Sequence, residues 1–140
     1  MSSATEPSPS ARRVGALQRG AAWLHLALAL AIALGVFLQV YLIGAYLFGA
    51  GGDALDAHVD VGFTVHSLEV LLLLVALVAW LPRADVGVSL LMALLGTTQI
   101  ALAGAHGWAG GLHALGALVV LVLATAITRR DLQRRRTAPA

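Results

Sequence analysis

Residues 58–80 read HVDVGFTVHSLEVLLLLVALVAW, and the aliphatic second half of this stretch decides the fold. The hydrocarbon core of a bilayer is crossed by about 20 mostly apolar residues in a helix. The run meets that length, and Trp80 at its end is an interfacial marker. Three further stretches of the same kind lie at about 21–48, 86–105 and 108–127. The chain is 59% hydrophobic and 11% charged, whereas an ordinary soluble domain is about a quarter charged. Its mean hydropathy is +0.87. The sequence therefore predicts an all-α integral membrane protein, a four-helix up-down-up-down bundle with short connections.

The first stretch is too long for a signal-peptide core of roughly 7 to 15 residues, so it reads as a retained helix. Residues 1–20 are rich in Ser, Pro and Ala without apolar periodicity and read as a disordered arm. The bundle proper spans 21–128, and 129–140 form a basic tail. All nine basic residues are arginines, and they cluster before the first span, at Arg83, and after the fourth span. The positive-inside rule then places both termini and the Arg83 loop in the cytoplasm. Five arginines beside a span are what topology requires, so nucleic acid is not an expected partner, and the tail is expected to meet anionic headgroups of the lipid bilayer.

There is no cysteine, which removes disulfides, thiolate metal sites and covalent haem attachment. Walker, dinucleotide, H-E-x-x-H and G-x-S-x-G signatures are also missing from the sequence. An electron carrier or a membrane partner protein is expected rather than an enzyme.

Ionisable groups are costly inside a membrane and mark sites by default. Counted from Asp60 and Trp108 at about 1.5 Å per residue, His66 lies roughly 9 Å and His113 about 7 Å below the outer boundary. His58 and His106 fall at that boundary, while Gln39 and Gln99 share the deeper band. The other half reads as almost wholly aliphatic apart from His25, whose neighbour Trp23 suggests an interfacial role.

Three readings of the polar band compete. Two imidazoles from facing helices can ligate one haem b, with Gly62, Gly111 and Gly116 making room for the ring. Gln39, Gln99, Thr64 and Ser67 are candidates to orient the ligands. Alternatively, the His and Gln side chains are interhelical hydrogen-bonding glue, or Glu69 and His66 form a proton or small-solute path, which in so small a chain implies a homo-oligomer. His58 and His66 are eight apart, His106 and His113 seven, too close for two stacked haems. The outer side has no arginine for haem propionates, and His58, His106 and the amides of the Gly-rich connections are the substitutes there, which favours His66 with His113 as ligands. If the second helix starts back at Asp53 as N-cap, with Asp56 also capping, His58 sinks deeper and competes with His66. Each half of the chain also carries a pair of histidines, a weak pseudo-repeat.

The runs LQVYLIGAYLFGAGGDALDAHVDVGF, TQIALAG and GGLHALGALVV resemble a family of small four-helix bacterial membrane proteins known as a domain of unknown function. The likeness covers about residues 30–125, with Asp56 to Gly62 and Leu112 to Gly116 as its motifs. A histidine on the second helix and another on the fourth also resembles one half of haem A synthase and four-helix b-type cytochromes. That likeness implies His58 and His113 as haem ligands, Asp56 standing where an acidic residue precedes the first ligand. Asp60 stands where that pattern has an arginine, which argues against synthase chemistry. The expectation is a bacterial inner-membrane protein that binds one haem b through His113 with His66 or His58 and passes electrons to a membrane redox partner.

Overall fold

The computed structural model describes residues 8–137. They form four helices: α1 (Pro9–Leu47), α2 (Gly52–Val78), α3 (Arg83–Ala103) and α4 (Trp108–Thr137). All four are long and apolar enough to cross a membrane. In hydrocarbon a helix satisfies every backbone N–H and C=O within itself, which is why such runs take this form. Helix α1 packs on α2 and α4, and α3 packs on the same two, closing a ring of four.

Each helix buries a stripe at alternating spacings of four and three. On α1 it is His25, Ala29, Ile32 and Val36; on α2, Val65, Glu69, Leu72, Ala76 and Ala79. On α3 it is Asp85, Ser89, Met92 and Gly96; on α4, Val120, Ala124, Ile127 and Asp131. That repeat is the seam of coiled-coil packing, in which knobs of one helix enter holes of the next. Leu28 and Val75 join Ala29, Ile32, Val36, Val65, Leu72, Met92, Val120, Ala124 and Ile127 of these stripes in one contiguous core.

Three helix ends depart from the sequence expectation. Helix α1 begins at Pro9, so residues 9–20 are helical rather than a disordered arm, while 1–7 lie outside the described residues. Proline suits a first helical position because its missing N–H would have had no partner there. Helix α4 runs through Thr137, so the basic tail is largely a helical extension, with 138–140 outside the described residues. Helix α2 starts at Gly52, six residues before the sequence boundary. Its N-cap is Gly51, with no side-chain cap, so Asp53 stands in the first turn and Asp56 inside the helix; neither caps it. The negative charge of Asp53 still suits the helix N-terminus.

The turns between helices are built from backbone hydrogen bonds. At the end of α1, Gly49 takes φ 93°, and the N–H groups of Gly49 and Ala50 donate to Tyr46 and Ala45. This is the Schellman closure that glycine permits. The same closure ends α2 with Trp80 at φ 52°, its N–H donating to Leu77 and that of Leu81 to Ala76. Pro82 then begins the next helix, with φ −52° and ψ 145° at its N-cap position.

Candidate functional site

Polar side chains gather at three levels. At the first, Gln39 on α1 donates through Nε2 to the carbonyl of His58 on α2 at 2.7 Å. His58 Nδ1–H donates back to the carbonyl of Gln39 at 3.1 Å. Helices α3 and α4 repeat the motif, since His113 Nδ1–H donates to the carbonyl of Gln99 at 3.1 Å. A carbonyl oxygen only accepts, so each Nδ1 carries a proton, which in a neutral ring leaves Nε2 its lone pair. The two rings meet in a T-shaped arrangement, with centroids 6.2 Å apart and planes at 69°.

Glycines make the space for the two glutamine side chains. A Cβ on Gly62 would meet the Gln39 amide nitrogen at 2.9 Å, and one on Gly116 would overlap the Gln99 amide. Gln99 Oε1 is buried without a hydrogen-bond partner. This end of the bundle also has no sealed core. No described residue of α1 beyond Val36, of α2 before Val65, of α3 beyond Gly96 or of α4 before Val120 is buried.

The second level is Glu69, 2% exposed, with His66 Nδ1 at 3.4 Å from its Oε2. The carboxyl lies over Gly96 of α3, where an added Cβ would overlap Oε2 and come within 2.5 Å of His66 Nδ1. Glycine at 96 is what allows a carboxyl group into this part of the core.

The third level was invisible to the sequence reading, which treated this half as aliphatic and His25 as interfacial. His25 is wholly buried. Its Nδ1–H donates to Asp131 at 2.7 Å, and Nε2 is hydrogen-bonded to the Ser89 hydroxyl at 3.3 Å. Asp85, also buried, pairs with Arg134 and lies 3.7 Å from Arg130. Arg134 reaches Asp131 as well, at 3.5 Å. The Ser–His–Asp connectivity is that of a hydrolytic triad, but Ser89 is 0% exposed, so no substrate reaches it and the network ties α1, α3 and α4 together. The missed signal was spacing: Asp131 follows Val120, Ala124 and Ile127 in the same four-three stripe, and His25 starts the stripe of α1.

Of the sequence candidates, His58, His113, Gln39, Gln99, Gly62 and Gly116 converge on the first level. His66 sits two turns deeper and engages Glu69 rather than facing His113. The start of α2 at Gly52 is the reason, because it draws His58 into the helix and into register with α4. His106 is exposed in the connection before α4, away from the histidine pair. Among the described residues no group of three or more His, Asp or Glu side chains is placed to hold a metal ion. No protein-family model, curated protein or solved structure matches the chain.

Proposed function

We propose that the chain is a small b-type, cytochrome-like membrane protein that holds one haem b between His58 and His113 and passes single electrons. The observation that carries this reading is the separation of the two rings. A haem held here would be held by the imidazoles of His58 and His113, which come from two different helices and are near enough for one prosthetic group to meet both. His58 and His113 stand at 6.2 Å. Each has its Nδ1–H committed to a backbone carbonyl, the outer contact that ligating histidines use to fix tautomer and orientation.

Two protein ligands suit an iron whose four equatorial positions come from the porphyrin, and suit a protein-only metal site poorly. The unpartnered Gln99 Oε1 leaves an acceptor at this level for a further group. The lack of buried residues around the pair fits one as well. The haem would supply a one-electron couple; the chain's part is to hold two neutral imidazoles and to exclude water by the aliphatic stripes below. The likeness to half of haem A synthase points to the same two histidines.

In this reading the bundle is up-down-up-down in a bacterial inner membrane, with both termini and the arginines on the cytoplasmic face and the histidine pair in the outer half. A membrane redox partner would exchange the electron. A second reading, a proton path through His66 and Glu69, draws on the placement of that carboxyl in the core over Gly96. Haem content after expression with ample haem tests the proposal: it predicts one haem per chain, and a protein that also rejects added hemin overturns it.

A further inference from the structure

At the arginine-rich end, Arg130 and Arg134 are paired with carboxylates, and Arg135 is held differently. Asp85 is met by Arg130 and Arg134, and Asp131 by His25 and Arg134. Arg135 meets no carboxylate among the described residues. Its Nη2 donates to the Ala22 carbonyl at 2.6 Å, and its guanidinium lies 3.5 Å over the centre of the Trp23 ring. Its Nε is buried without an acceptor. A buried donor left unpaired is destabilising, and more so when it is charged.

Arg135 also borders a cavity of about 140 Å³, whose other walls are Ala22 of α1, Leu81 of the α2–α3 turn, and Asp131 and Arg134 of α4. The carboxylate in that wall is already engaged by His25 and Arg134. The Arg135 guanidinium that borders the cavity therefore has no anion of its own among the described residues. Arginine's planar fork matches phosphate oxygens, and the ring of Trp23 fixes the plane of this one. Trp23 is itself 59% exposed and so is free to lie against lipid. Basic pockets between membrane helices are known to take phospholipid head groups.

We propose that this cavity is an anion site that takes a phosphate group, with Arg135 as its principal donor and Arg134 beside it. The phosphate is that of an anionic phospholipid or a free ion, and the two sources are separable. The proposal does not rest on haem at the opposite end.

The test is native mass spectrometry of the full chain in detergent with phosphatidylglycerol or phosphatidylcholine, alongside melting curves with and without inorganic phosphate. A lipid site predicts retention of phosphatidylglycerol over phosphatidylcholine by roughly ten-fold, the worth of a charge-assisted bond. The preference disappears in Arg135→Gln and persists in Arg136→Gln, whose side chain is exposed. Ala22→Leu fills the cavity and leaves every arginine in place, so loss of preference there excludes general attraction to the basic helix and decides the matter if Arg135→Gln does not fold. Stabilisation by inorganic phosphate alone, again lost in these two variants, assigns the site to a free ion. No preference and no phosphate effect, or wild-type behaviour in the folded variants, overturns the proposal.

Discussion

The imidazoles of His58 and His113 stand 6.2 Å apart at 69°, each anchored through Nδ1 to the backbone of the preceding helix. Equivalent parts come from each half of the chain: a glutamine whose carbonyl holds the histidine, and a glycine beneath the glutamine's amide. Replacing His58 or His113 by alanine is predicted to remove low-spin haem, whereas His66→Ala, two turns away, keeps it. Optical spectra of the three purified variants check this. Retention of the spectrum in His58→Ala would move the ligand role back to His66.

The two glutamines make different contacts. Gln39 donates to the His58 carbonyl, whereas the side-chain oxygen of Gln99 has no partner. Gln39→Ala is predicted to cost about 1 kcal/mol of stability. Gln99→Ala removes an unsatisfied group and is predicted to change stability by less than about 0.5 kcal/mol. Unfolding in mixed detergent micelles, followed by circular dichroism, gives the comparison.

Gly96 faces the carboxyl of Glu69. Gly96→Ala forces overlap in a packed layer and is predicted to destabilise by about 1 to 3 kcal/mol. The double variant Gly96→Ala with Glu69→Ala recovers part of that loss, which the same unfolding assay measures as a coupling. Additive losses would mean that the carboxyl moves aside freely.

Asp131 accepts from both His25 and Arg134. Asp131→Ala leaves a buried imidazole N–H without its acceptor and is predicted to cost about 3 kcal/mol, by the rule for breaking buried pairs. Arg136→Ala, on the exposed side of the same turn, is predicted to be neutral in thermal unfolding.

These residues also show where sequence reading stops. The four helices are legible because each is an apolar run of membrane length, and Gln39, His58, Gln99 and His113 are legible because polarity inside such runs is rare. Which histidine faces His113 depended on where α2 begins, and Gly51–Gly52 carries no capping side chain to announce it. The His25 network was obscured for a different reason. The charges of RRDLQRRR outweighed the fact that Asp131 keeps the spacing of the buried stripe, so a helix extension read as a tail. Whether a histidine beside Trp23 turns inward or outward is a matter of helix rotation, which packing sets rather than composition.

The most direct test of the central claim is the reduced-minus-oxidised visible spectrum of the detergent-purified full chain, expressed with ample haem. Bis-histidine ligation by His58 and His113 predicts a Soret band that shifts on dithionite reduction, with sharp α and β bands. A colourless protein that takes up no added hemin would contradict it.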